Sequence, residues 1–497
     1  MRGAIAAGHP LTAEAGARVL DAGGNAVDAA VGAALVSWVA ESTLTGPGAG
    51  GFMLVHRARD RSTRVFDFFV AMPGLGNGHT AVSEMDEIDV DFSGGSHQIF
   101  HVGAASVAVP GAALGLEKAH RAFGRLPWRQ LLAPAIDLAR RGVELTPGQA
   151  YLHEILDLIL RHTPESRAVY EHGGRRFDTG DVIVHRDLAA TMEVLAERGS
   201  GELYRGELAD AIAGHVEAGG GTLTRRDLEE YRVVRRRPVT TQFRGHEFVS
   251  NPPPSAGGIL IAYGLSLLRE GGRPGSAEAI DALGRVMREQ ADVRVAEGFD
   301  GALRRGGLLK VLEERAAVTR GTTHISVVDG EGNAVSLTAS TGAGSGVVVP
   351  GTGIHLNNMI GEFELAKPPR PGTRLSSGMS PSLVLRDDRP RLVVGSAGSL
   401  RLRGAVMQIV VNVVGHGLAV REAIERPRVH LEGEHLHCEG GHDPAQLDRL
   451  EQMGWNVVRW RQQNLYFGGA AAVTLDDAGG LAAAGDPRRG GAGVVVE

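Results

Sequence analysis

The sequence predicts a layered α+β protein, with stacked sheets covered by helices, and three observations lead there. Beyond Gly321 the chain is written as two strand pairs separated by turn residues. From about Val109 to Leu268 it reads mostly as helices punctuated by glycine. Its 497 residues, 43% of them hydrophobic, can bury a large core, so one large or two intimately packed domains are expected.

In chain order, small and apolar residues recur at helical spacing from Thr12 to Leu20, and Gly23-Gly24 ends that pattern. Asn25 is placed to cap a second helix running from Ala26 to about Val39, whose many alanines allow close packing against a sheet. Gly46-Pro47-Gly48-Ala49-Gly50-Gly51 spells GxGxxG, but a helix precedes it and the strand-like Phe52 to His56 follows. That order reverses the dinucleotide fingerprint, so the segment reads as a glycine loop feeding a strand near an active site. Leu131 to Ala139, Asp187 to Ala196 and Gly206 to Ala218 are the periodic helical stretches of the middle region. Asn251 to Gly258, with three consecutive prolines, reads as an ordered loop. After Gly321, His324 to Val328 and Ala334 to Thr338 flank a turn at Asp329 to Asn333, a hairpin signal. Ser382 to Leu385 and Arg391 to Val394 form a second pair; a helix from about Leu402 to Val414 and a strand near Ala471 to Leu475 follow.

Composition removes several classes of function. A formal net charge of -6 leaves no excess cation to neutralise phosphates, so nucleic acid is not an expected partner, and Arg235-Arg236-Arg237 reads as a solvated face. Gly and Pro, at 71 and 22 residues, stay below the roughly 25–30% that marks low complexity. Cys438 is the single cysteine, so no internal disulfide forms. The start Met1-Arg2-Gly3-Ala4-Ile5 reaches His9-Pro10 with no room for a signal sequence, and no apolar run is long enough to span a bilayer. Cytoplasmic residence without a membrane partner is the expectation.

Chemistry centres on Thr322, which stands directly after Gly321 and directly before a strand. From there its hydroxyl can attack the preceding carbonyl; once that bond breaks, the free α-amine can act as base for the hydroxyl, which a threonine nucleophile needs. Alone, a Gly-Thr pair before a strand is an ordinary strand start. It is accompanied, however, by Gly24-Asn25-Ala26-Val27-Asp28-Ala29-Ala30, Thr322 to Asp329, Gly332-Asn333-Ala334-Val335-Ser336, Gly353-Ile354-His355-Leu356-Asn357-Asn358, Met379-Ser380-Pro381 and Gly485-Asp486-Pro487-Arg488-Arg489. In content and order these motifs resemble the γ-glutamyltranspeptidase family over nearly the whole chain. The resemblance implies an N-terminal-nucleophile hydrolase with a four-layer αββα sandwich, made from a self-cleaved precursor: residues 1–321 as the large fragment and 322–497 as the small, catalytic one. It implies a small-molecule acyl donor, water or an amine as acceptor, and no cofactor or metal.

Carried over position by position, Thr322 matches the family nucleophile and Ser340 a threonine of its surroundings. Gly398 and Ser399, in Gly395-Ser396-Ala397-Gly398-Ser399, match the turn whose N–H groups form an oxyanion hole. Ser376 and Ser377 match the pair that binds the donor α-carboxylate, with Gly378 inserted before Met379. The glutamyl clamp is lost: Phe69 stands at the family's arginine position, Met359 and Glu362 replace a polar residue and an aspartate, and Gly342 replaces an asparagine. The segment between Phe363 and Leu375 is shorter than the lid many members carry, predicting a more open pocket. A desolvated carboxylate without its arginine is costly, so a donor other than ordinary γ-glutamyl compounds is expected. The same departures resemble the branch found in alkylproline (lincosamide and pyrrolobenzodiazepine) pathways, which leaves C–C bond hydrolysis as one alternative and a noncatalytic, uncleaved binding module as another. His430, His435, His437, Cys438 and His442 cluster without a standard zinc spacing and read as surface histidines.

Overall fold

The computed structural model describes residues 2–77, 84–91, 97–269, 272–292, 321–362, 369–398 and 401–497. Two antiparallel sheets form its centre. The larger runs, edge to edge, Val234–Arg236, Ser62–Phe68, Gly50–Arg57, Ala334–Ser340, Thr322–Asp329, Gly3–Ala7 and Ala492–Val496. The second, of six strands, runs Val239–Phe243, His246–Ser250, Ser382–Arg386, Arg389–Ala397, Gly469–Leu475 and Leu481–Gly485. Phe52, Leu54, Val65 and Val328 from the first meet Val249, Leu383, Val393 and Val473 from the second in one apolar layer. Because side chains alternate along a strand, Met53, Val55, Ile325 and Val327 point the other way, into the helices of the N-terminal half. Phe248, Val384, Leu392 and Ala472 likewise meet the helices outside the second sheet. The layers are therefore helix, sheet, sheet, helix, the four-layer α+β sandwich the motifs imply.

Local chemistry explains the element that supports the nucleophile strand. The helix Ala26–Ala40 starts at Asn25, whose Oδ1 accepts from the N–H groups of Val27 (2.9 Å) and Asp28 (3.0 Å), while Asp28 Oδ2 accepts from Asn25 N–H (3.0 Å). This reciprocal cap satisfies three otherwise orphaned donors at a buried helix end. Every residue of the helix is buried, so it is apolar all round and fills the space between the sheet and the helices Pro10–Asp21 and Trp128–Arg141. The other helices predicted for the middle region form as Arg186–Arg198 and Glu207–Ala218. The predicted helix from Leu402 to Val414 stops earlier: it is α-helical over Arg401–Val410 and continues as a π turn, Val411–Gly415. Among the described residues no helix is long and apolar enough to cross a membrane.

Burial has also taken in histidines. His9, His153, His185 and His355 are held down from 6.5 to about 4, and His324 to about 3, in each case by loss of solvent. His9 Nδ1 must stay unprotonated, because it accepts the Leu11 N–H (3.2 Å) that opens the first helix. Since the folded state holds these rings below their unfolded value, the unfolded chain takes up protons first on acidification. Stability should be complete above about pH 6.5 and lost progressively as pH falls toward about 4. Urea midpoints across that window test this; a flat profile would remove the histidines from the stability balance.

Candidate active site

Thr322 opens an interior strand of the larger sheet, paired with Ser340 on the neighbouring strand, which is itself opposite Gly50. The glycine before it is required by space: a Cβ on Gly321 would lie 1.9 Å from the carbonyl oxygen of Gly342. Ser340 Oγ donates to the Gly321 carbonyl and accepts from Gly342 N–H (2.8 Å). The carbonyl that precedes Thr322 is thus held and polarised by one hydroxyl. Thr322 is fully buried, and its Oγ1 has no hydrogen-bond partner among the described residues. A buried unpaired hydroxyl is unfavourable for folding, and such groups occur where chemistry needs them.

Around Ser340 the chain turns through Gly342 at φ 74°, a conformation that favours glycine. Asn358 Oδ1 and Glu362 Oε1 both accept from Ala343 N–H (2.9 and 3.1 Å). They also occupy the space an asparagine at position 342 would need, since a Cβ there would meet them at 2.2 and 2.6 Å. With Asn358 and Glu362 in these places, only glycine fits at position 342.

On the opposite side lies a feature not singled out from sequence. Glu41, just past the Ala26–Ala40 helix, accepts from Thr12 Oγ1 (2.8 Å) and Thr323 Oγ1 (2.7 Å). Burial pushes its carboxyl up against these hydrogen bonds and the positive charge of Arg489. Arg489 is half-buried, brought down to about 10 by loss of solvent, and its Nη1 lies 3.4 Å from the Thr322 carbonyl oxygen. Its backbone N–H donates to Asp486 O (3.2 Å), and Asp486 belongs to a buried ion network: Arg428 Nη2 to Asp486 Oδ2 (2.5 Å), Arg488 Nη1 to Asp486 Oδ1 (3.1 Å) and Arg488 Nη2 to Glu439 Oε2 (2.5 Å). The motif Gly485 to Arg489 was the only sequence signal for this arrangement.

Gly398 follows the strand Arg389–Ala397 at φ 128°, and a Cβ there would come 2.8 Å from Gly468 Cα. It lines one small cavity together with Gly321 and Arg489, while Thr322, Glu41 and Arg489 line a second. Thr322, Ser340 and Gly398 are thereby gathered at one end of the sandwich. Ser399 lies outside the described residues.

The residues matched to donor binding form a separate neighbourhood. Leu375 N–H donates to Val70 O (3.1 Å), running the segment before Ser376 alongside that of Phe69. Ser376 Oγ donates to Pro254 O (2.7 Å) and the Ser377 carbonyl accepts from Ser255 Oγ and Ala256 N–H (both 2.9 Å), so both residues brace the proline loop, while Ser377 Oγ accepts from Met379 N–H (3.1 Å). Phe69 stacks on Phe52 at 5.5 Å, and Met359 joins it in the layer between the sheets. Neither lines the two cavities beside Thr322. An arginine does approach Phe69: Arg374 donates to the Phe69 and Arg232 carbonyls, lies 3.3 Å from Asp67 and 4.7 Å over the Tyr231 ring. Its two terminal nitrogens are engaged by scaffold carbonyls.

Of the C-terminal histidines, His435 is exposed as expected, whereas His430 is buried, as is Cys438, because their two paired strands are covered by helices of the second outer layer. His437 accepts the Trp460 Nε1–H (3.2 Å) and packs on Tyr466. Among the described residues no group of three or more His, Cys, Asp and Glu side chains is placed to hold a metal ion.

Comparison with known proteins agrees with this architecture. The family model for gamma-glutamyltranspeptidase matches residues 12–297 and 306–496. The acylase ACY 1 proenzyme of Pseudomonas sp. (strain SE83) is 33% identical over 100% of this chain and 94% of its own. The glutathione hydrolase proenzyme of Escherichia coli (strain K12) is 30% identical over 98% of this chain and 90% of its own. In three dimensions the cephalosporin acylase from Bacillus halodurans superposes with a TM-score of 0.86 at 26% identity, covering 100% of this chain and 96% of that one. The chain belongs to the gamma-glutamyltranspeptidase family of hydrolytic enzymes.

Proposed function

We propose that this chain cuts itself between Gly321 and Thr322 and then uses Thr322 to accept an acyl group from a donor that is not an ordinary γ-glutamyl compound. The observation that carries this reading is the unpaired, buried Thr322 Oγ1 next to a carbonyl held by Ser340. In the first reaction Thr322 Oγ attacks the Gly321 carbonyl carbon while the Ser340 hydroxyl stabilises the oxygen that gains charge. The C–N bond breaks, the Thr322 nitrogen takes the proton, and water cleaves the resulting ester, leaving a carboxylate on Gly321. The freed α-amine then serves as base for the same hydroxyl. In the second reaction the N–H groups of Gly398 and Ser399 receive the donor's developing oxyanion, and the acyl-enzyme passes to water or an amine. That similar proteins carry proenzyme in their names supports the first step, and that several are named acylases supports a broader acyl donor.

Donor preference follows from charge. With Phe69 in the apolar layer and the Arg374 donors committed to carbonyls, an α-amino acid head group lacks its counter-ion. Glutathione should be turned over with kcat/KM at least about a hundredfold below that of a simple acyl amide. Parity between the two donors would overturn this preference. The reading as a whole is tested by N-terminal sequencing of purified protein: two bands, one beginning Thr322-Thr323-His324, with an acyl adduct on that fragment by mass spectrometry. A single persistent band would leave the chain as a noncatalytic binding module.

A further inference from the structure

We propose that the outer face of the six-stranded half carries a second binding site, separate from Thr322, for a small organic phosphate: an anionic head group joined to an apolar body. A cavity of about 400 Å³ lies there, within the size range of small-molecule sites. It shares no lining residue with the two cavities beside Thr322, so its ligand does not depend on the acyl chemistry.

Its charge is one-sided. Arg244, Arg269, Arg273, Arg426, His416 and His442 all line it. Asp443 is the lone carboxylate among its described lining residues, and its Oδ1 is taken by Ala445 N–H (3.0 Å). Arg426 is partly occupied, donating to Pro274 O (2.8 Å) and Glu422 (3.3 Å), whereas Arg269 and Arg273 make no ion pair among the described residues. The cations feel one another: burial first, then Arg244 and Arg426, press His416 below its ordinary value. Gathering like charges works against folding, and an anion shared among them would relieve it.

The backbone has been bent to build this cluster. Arg244 sits in the left-handed region at φ 50° in a hairpin turn, directly over Gly415, where a Cβ would lie 3.7 Å from Arg244 Nε. The π turn Val411–Gly415 ends the helix behind it and delivers His416. Gly275 and Ser276, at the start of the helix Ala277–Asp292, also line the cavity and add the positive end of its dipole.

Two features narrow the ligand. Several planar guanidinium groups exceed what one carboxylate can satisfy and match the oxygens of a phosphate. Phe243, Leu268, Ile280, Leu283 and Val411 supply an apolar wall that inorganic phosphate would not use.

Calorimetric titration of the full chain at low salt with phenyl phosphate, inorganic phosphate and benzyl alcohol decides the matter. Phenyl phosphate should bind about tenfold more tightly than inorganic phosphate, and benzyl alcohol not at all. Arg269→Ala and Arg273→Ala, both at exposed positions, should each weaken phenyl phosphate by about tenfold while the unfolding midpoint stays unchanged. Absence of binding at roughly millimolar phenyl phosphate, equal binding of benzyl alcohol, or undiminished affinity in both variants would overturn the proposal.

Discussion

Thr322→Ala should remain a single chain on a denaturing gel, form no acyl adduct and lose activity by roughly four orders of magnitude or more, since neither reaction has a nucleophile without the hydroxyl. The variant should nevertheless fold. Its missing Oγ1 is buried without a partner, so its removal leaves no bond broken and no donor orphaned. A urea midpoint equal to or above that of wild type, measured beside the gel, separates loss of chemistry from loss of fold. Wild-type cleavage kinetics in Thr322→Ala would place the scissile bond or its nucleophile elsewhere.

Asp486→Ala should be the most destabilising single change among the ion pairs. Asp486 is buried between Arg428 and Arg488 and accepts the N–H groups of Ala470 and Arg488, both at 3.0 Å. Burial opposes its charge, but the two arginines hold its carboxyl below the usual range. Truncation would strand the buried Arg428 cation and leave Arg488 with Glu439 alone, at a cost of about 3–5 kcal/mol. Arg489, the next residue but two, would lose its fixed position beside the Thr322 carbonyl, so processing should slow along with the fall in unfolding midpoint. Asp486→Asn keeps an acceptor for one of the two N–H groups and should fall between wild type and Asp486→Ala; an unchanged midpoint in Asp486→Ala would show the network to be energetically idle.

How much of this was legible depended on where the signal lay. The Asn25 cap and the alanine run announced the Ala26–Ala40 helix, and alternation with turn residues announced both hairpins beyond Gly321, because caps and turns are local devices. The strand Gly3–Ala7 was not anticipated. Its sequence is short and small, and it is buried on both faces, where alternation vanishes. At the site, Thr322 and Ser340 could be read from motifs and are opposite each other across two strands. Glu41 could not, because its partners Thr12 and Thr323 come from distant parts of the chain. The absence of an arginine at Phe69 was visible, but not that Phe69 would stack on Phe52 or that Arg374 would approach from elsewhere.

The strand order of the larger sheet bears on what scission can accomplish. Read across it, three strands precede residue 321 in the chain, two follow it, then Gly3–Ala7 precedes and Ala492–Val496 follows. A broken backbone at that point frees two ends without freeing two bodies, for each piece supplies hydrogen bonds the other lacks. Dilution or gel filtration would carry both together, and only conditions that melt the sheet would let them part.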